Sequence, residues 1–265
     1  MRKYWAFFRG NIQNTLTFRG PLFIWLASGM LALLASVYVW FSANAGQTIG
    51  GYTKDELITY YILVLTISWI VNWMPFYWLK DQIADGSIVT TTLVKPVSLY
   101  LQSFFSEAGW RAVAIWWGLV GTAIFIALFK SHFILISSTG LNLLYLMISL
   151  LLSILVIFSM SMVMALMAFW FTHVDVFDSF NWVARMLFGG QGIPISFFSG
   201  PLRTLANILP FRYTMSFPLE IYFNKLNSQQ IFLGFGIELF WILFFILLYK
   251  IMLTRGLKTY TAFGS

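Results

Sequence analysis

The chain of 265 residues contains no cysteine, so disulfides, thiolate metal sites and cysteine nucleophiles are all excluded. Charge is nearly as scarce. Only 9% of residues are Asp, Glu, Lys or Arg, against about a quarter in an ordinary soluble domain. There are two histidines, His132 and His173, and no G-x-x-x-x-G-K-[ST] run to cradle nucleotide phosphates. No serine lies in a G-x-S-x-G elbow, and no carboxylate pair suggests intramembrane proteolysis, so no catalytic residue is expected. "HVDVFD", His173 to Asp178, offers three possible ligands but no established metal spacing, and is read as a hydrated loop with no metal. Internal repeats, low-complexity tracts and a soluble domain are also missing.

What fills the chain is hydrocarbon. Sixty per cent of residues are hydrophobic, with 28 Phe and 12 Trp, more apolar surface than a water-soluble fold could hide. The expected fold is an all-α membrane protein, one transmembrane domain over residues 1–265. A helix crosses a hydrocarbon core of about 30 Å in roughly 20 residues, and six stretches qualify: 21–41, 57–79, 104–129, 141–171, 182–200 and 231–251. The fourth is longer than one crossing needs and should tilt or project. The fifth dissolves into "GGQGIPISFFSGP", Gly189 to Pro201. "SANAG", Ser42 to Gly46, resembles a signal-peptide cleavage site, but the preceding apolar run is about twice the usual length, so an uncleaved span is expected.

Basic residues orient the spans. With the N-terminus in the cytoplasm, Arg2, Lys3, Arg9, Arg19, Lys80, Lys95, Lys250, Arg255 and Lys258 lie inside, against Lys54, Lys130, Arg203, Arg212 and Lys225 outside. Nine against five places both termini inside. The net charge of +7 then belongs to the membrane's inner face, and no nucleic-acid partner is expected. Over 1–20, Tyr4, Trp5, Phe8, Ile12 and Leu16 share one side of a helical wheel, as in a helix lying in the interface beside anionic lipid. Phe7 and Phe18 fall off that side. An ordinary anchor and a regulatory element both fit the pattern.

Two non-hydrocarbon stretches stand out. "IADGSIVTTTLVKPVSLY", Ile83 to Tyr100, follows the second span. Asp85-Gly86 can turn the chain, Ser87 can cap a short helix, and Pro96 ends it. Ile88, Val89, Leu93 and Val94 would give that element an apolar side, although a plain connecting loop fits the residues too. The other is "GIPISFFSGPLRTLANILPFRYTMSFPLEI", which breaks a helix at membrane depth, where protein or water must satisfy the freed backbone. Among charges within spans, Glu107 and Arg111 are four apart and can neutralise each other. Glu238 has no partner on its own helix; a pair across the bundle with Arg185 or Arg203, a place near the outer interface and a substrate-binding carboxylate all fit, with the buried pair favoured.

An interfacial N-terminal helix, six spans and a polar loop reading Gly86, "SIVTTTLV", Lys95-Pro96 resemble the type-2 class of ATP-binding-cassette exporter permeases. The closest likeness is to the small bacterial six-span permeases. The Pro-x-Ser, second Pro and Leu-Pro-Phe between spans five and six are similar to that family's re-entrant external segment. The resemblance implies a permease subunit in the bacterial inner membrane, paired with a second permease and with separate ATPase subunits that carry ATP and Mg. This chain would hold no cofactor of its own. It also implies that Asp85, Gly86, Ser87, Ile88, Val89, Leu93, Val94, Lys95 and Pro96 form an ATPase-coupling element. Pro194, Phe197, Phe198, Phe211 and Tyr213 would then belong to the translocation path or its gate, or to a packing plug at the centre of the dimer. An ATP-independent transporter or channel is the alternative.

Overall fold

The computed structural model describes residues 2–18, 20–41, 48–136 and 140–259, and the chain there is helical without strands. Ser42 to Gly46, Arg19 and the chain beyond 259 lie outside the described residues.

Among the described residues ten α-helices follow one another: α1 Arg2–Thr17, α2 Gly20–Phe41, α3 Lys54–Val71, α4 Phe76–Ala84, α5 Leu99–Leu128, α6 Gly140–Leu166, α7 Asp175–Phe188, α8 Gly200–Ile208, α9 Ser216–Tyr222 and α10 Ser228–Thr259. Four stretches are long and apolar enough to cross a membrane alone: Gly20–Trp40, Leu99–Leu128, Gly140–Phe169 and Ser228–Lys258. A fifth, α3 with α4, qualifies only as a pair bent by 42°. The expected fifth span over 182–200 is different. Helix α7 begins at Asp175 and ends at Phe188, and its 14 residues rise about 21 Å, short of a full crossing. The glycines that follow stop it, so the six-helix count becomes four helices, one bent pair and one half-length helix.

Local chemistry sets the boundaries. Thr53 and Glu56 form a reciprocal capping box, with Thr53 N–H on the Glu56 carboxylate at 2.8 Å and Glu56 N–H on the Thr53 hydroxyl at 3.2 Å. Helix α3 therefore starts three residues before the apolar run. Helix α1 lies along α5, with Tyr4 stacked on Phe105 at 5.6 Å and its hydroxyl accepting the Ser98 N–H at 3.2 Å. Gly109 permits this contact, since a Cβ there would stand 2.3 Å from the Phe8 carbonyl oxygen. Phe7, off the predicted apolar side, lies under the Lys95 ammonium at 5.4 Å.

Two large cores hold the bundle. One joins α2, α3 and α5 around Leu22, Tyr60, Tyr61 and Phe125. The other joins α4, α6 and α10 around Phe76, Leu79, Phe158 and Phe245, and a smaller cluster seats α9 on α10 through Phe217 and Ile231.

Candidate functional site

The site begins with a helix break. Helix α3 ends at Val71 and α4 starts at Phe76, leaving carbonyls that no helical N–H reaches. Each finds a donor. The Trp69 carbonyl accepts Arg111 Nη1 at 3.3 Å, the Ile70 carbonyl accepts the Trp73 indole at 2.8 Å, and the Val71 carbonyl accepts the Trp73 N–H at 2.8 Å. On the far side of the break, Phe76 N–H donates to Ser161 Oγ at 3.0 Å. Arg185 of α7 donates to the Asn72 side-chain carbonyl and to the Met74 sulfur. A cation beside a helix C-terminus is also favoured by the helix dipole. The break is thus closed by Trp73 within it and by groups from α5, α6 and α7.

Beside it runs a groove of about 1100 Å³, walled by α1, α2, α3, α4, α5 and α7. Trp25, Trp69, Trp78, Trp110 and Trp182 supply aromatic faces, and Asn72, Gln82, Gln102, Glu107 and Arg111 supply polar groups. Glu107 and Arg111 share the groove but do not form the expected ion pair. Glu107 accepts the Trp78 indole N–H at 3.2 Å, while Arg111 turns to Trp69 and lies 4.3 Å over the Trp110 ring. The four-residue spacing placed them on one side of α5 but could not show that each takes its hydrogen bond elsewhere.

At the end nearest the first loop, the groove stops at Gln191 and Gly192. The glycine-rich backbone there is satisfied by protein. Tyr60 OH donates to the Gly190 carbonyl at 2.7 Å, Tyr61 OH to the Gly192 carbonyl at 2.7 Å, and Ser216 N–H to the Gly189 carbonyl at 2.9 Å. Gly190 has φ +86°, and a Cβ there would meet the Tyr60 oxygen at 2.6 Å. The five residues expected at the path do not converge on the groove. Pro194 is buried at the start of a 3-10 turn, Phe197 packs edge-on to Trp40 at 5.5 Å, and Phe198 faces Phe188 at 6.4 Å. Phe211 joins the α4/α6/α10 core. Tyr213 is 1% exposed, its OH donating to the Asn207 carbonyl at 2.7 Å, and it borders a separate cavity of about 530 Å³ with Arg203 and Lys225. Sequence spacing missed Tyr60, Tyr61 and Gln191 because nothing local ties α3 to the segment after α7.

At the opposite end, residues 85–96 form a compact element. Gly86 takes φ +81°, which only glycine adopts without strain. The cap is Asp85, not Ser87: its carboxylate accepts the Ser87 N–H at 2.8 Å. The Ser87 hydroxyl and N–H together hold the Asp85 carboxyl below its ordinary value. The Ser87 carbonyl receives the Thr91 hydroxyl at 2.7 Å and the Thr90 hydroxyl at 3.1 Å. These hydroxyls compete with the α-helical amide for that acceptor, and residues Val89–Leu93 wind as a π-helix, with Val94 N–H reaching the Val89 carbonyl at 3.2 Å. The expected apolar side splits in two. Ile88 is fully buried in the core with Phe76, Leu79 and Ile83, and Val89 packs partly against it. Val94 is 71% exposed beside exposed Thr90, Thr91, Lys95 and Pro96. The Leu93 side chain lies outside the described residues.

Three further carboxylates are placed. Glu238 is fully buried between α6 and α10, where Ser153 Oγ and Ser149 Oγ donate to Oε1 at 3.4 and 3.5 Å. It pairs with neither Arg185 nor Arg203, and its Oε2 has no partner among the described residues. Asp175 meets Lys80 at 3.2 Å and Asp178 accepts the Tyr77 hydroxyl at 3.1 Å, so "HVDVFD" docks α7 onto α4.

The family described as ABC-2 family transporter protein matches residues 23–264, nearly the whole chain. No curated protein matches the sequence.

Proposed function

The chain belongs to the ABC-2 transporter family, a multi-pass membrane protein of permease type, and on that footing we propose that it is one permease subunit of an ATP-driven exporter. A second permease, identical or related, pairs with it across the groove, and separate ATPase subunits hold ATP and Mg. The groove is this subunit's half of the path. Residues 85–96 face the cytoplasm and receive the ATPase, and both termini lie on that side of the bacterial inner membrane. Helix α7 with the broken segment 189–199 completes the sixth crossing.

One observation carries this reading. A single bent span carries an exposed polar element at the end of α4, and a polar, aromatic groove runs along both of its halves across the bend. Closure of the ATPases would push on the element and tilt α4 against α3, changing the side to which the path opens.

The test is co-purification of the ATPase with the full chain. Val94→Asp puts a charge on the exposed apolar side chain, where an unpaired charge is expensive against a partner's groove. It should abolish ATPase association while membrane insertion and thermal stability stay unchanged, and Leu93→Asp should do the same to association. Ile88→Ala, a core truncation, should lower stability by about 2–5 kcal/mol. Normal ATPase recruitment and transport by Val94→Asp and Leu93→Asp together would make the element a connector and favour an ATP-independent transporter or channel.

A further inference from the structure

Two arginines in the groove region are buried with donors left unused. Arg111 is 7% exposed and Arg185 is 5% exposed. A guanidinium has five N–H donors. Arg111 donates to one carbonyl, Arg185 to one side-chain carbonyl and one sulfur, and the Nε of each has no partner among the described residues. Neither is within ion-pair distance of a carboxylate there. Glu107 acts on Arg111 and Asp178 on Arg185 through the field alone, their hydrogen bonds going to Trp78 and Tyr77, while Asp175 meets Lys80. Both arginines attach to the same six-residue stretch, Trp69 to Met74. A buried guanidinium that no carboxylate touches is costly, and such residues within membranes mark ligand pathways.

The rest of the groove is matched to an amphiphile. Arg111 itself lines it, with Trp110 and Trp182 beside it as apolar wall. Nine residues earlier on α5, about 13 Å down the helix, Gln102 also lines the groove, and its buried Oε1 accepts no hydrogen bond among the described residues. A guanidinium with an unused donor above and an unpaired acceptor below suit a molecule with an anionic group followed by hydroxyls.

We propose that the groove binds an anionic amphiphile, its phosphate on Arg111 in the field of Arg185 and its hydroxylated headgroup toward Gln102. The assignment rests on the groove being the substrate path, and it names the chemical class carried. Phosphate is the natural partner because a guanidinium fork meets two of its oxygens at once.

The experiment uses the full chain in a neutral detergent, mixed with equal amounts of phosphatidylglycerol and phosphatidylcholine of identical acyl chains, with bound lipid counted by native mass spectrometry. The glycerol lipid should exceed the choline lipid by about tenfold, the scale of one charge-assisted hydrogen bond. Arg111→Gln should collapse that ratio toward one. Arg111→Lys, which keeps the charge but loses the fork, should retain part of it. Arg9→Gln, on the exposed interfacial helix, should leave it unchanged. Competition by millimolar inorganic phosphate would keep the anion subsite but assign it to a soluble phosphate. Equal binding of the two lipids by the unaltered chain, or a preference that survives Arg111→Gln and vanishes in Arg9→Gln, overturns the proposal. Because ATPase recruitment is measured separately, failure here leaves the coupling assignment standing, and the reverse also holds.

Discussion

Gly118 tests the groove's architecture with a single methyl group. It lies on α5 where that helix crosses α3, and a Cβ built there would stand 2.3 Å from Trp69 Cγ and 2.5 Å from Trp69 Cβ. Carbon atoms settle near 3.5–4.0 Å, so the two helices would have to part by roughly 1 Å. Rotating the indole gives no relief, because the clash includes the Trp69 Cβ, which is fixed to the backbone. Overpacking of this kind costs about 1–3 kcal/mol, while replacing a helical glycine by alanine returns about 1 kcal/mol. Gly118→Ala should therefore lose up to about 2 kcal/mol. Gly236 is the control: it sits within α10 with nothing inside 4 Å of its Cβ position, so Gly236→Ala should gain up to about 1 kcal/mol. Reversible unfolding of both variants in mixed detergent micelles gives the comparison. Shifts of the same sign would refute the close approach of α3 and α5.

Tyr60→Phe removes the buried hydroxyl that satisfies the Gly190 carbonyl, so it should cost about 1–3 kcal/mol, with faster amide exchange confined to the segment after α7. The orientation is checked by single-cysteine labelling in this cysteine-free chain. Cysteines at Lys95, His173 and Tyr260 should react from the cytoplasm, and those at Ala45, Ser137 and Asn224 from outside. Cytoplasmic labelling at Ala45 would reverse the orientation and with it the coupling assignment.

Membrane residence and helical class were legible because they rest on composition and run length, which need no partner to interpret. The Gly86-to-Pro96 element was legible for a related reason: a turn former and a helix stopper act within a few residues of themselves. What the sequence did not disclose lies in contacts across the bundle. The two halves of the second span looked continuous because Asn72 to Pro75 is too short to interrupt an apolar window, yet the Trp69 carbonyl in the turn before it depends on Arg111, 42 residues later. Ile88 looked available to a partner because its burial depends on Phe76 and Leu79 folding back beneath it. Glu238 seemed to need an arginine, but two serines on α6 were within reach, and serine carries no charge pattern to notice.

The same contacts decide how a push at one end could be felt at the other. Ile88 and Thr92 fasten the exposed element to α4, the first through the α4/α6/α10 core and the second through its hydroxyl on Gln82 at 3.3 Å. Force on Val94 or Lys95 therefore enters α4, not a loose tether. Helix α4 meets α3 at the 42° bend, and the bend is held by Arg111 from α5 and Arg185 from α7. Changing that angle would disturb one or both of those attachments. Because Arg111 lines the groove and Arg185 grips two residues of its wall, Asn72 and Met74, the groove cannot keep its shape or its charge placement while the angle changes. In the proposed exporter, the hinge that the ATPase drives and the subsite that holds the anion are one structure. Release of cargo then requires no second moving part.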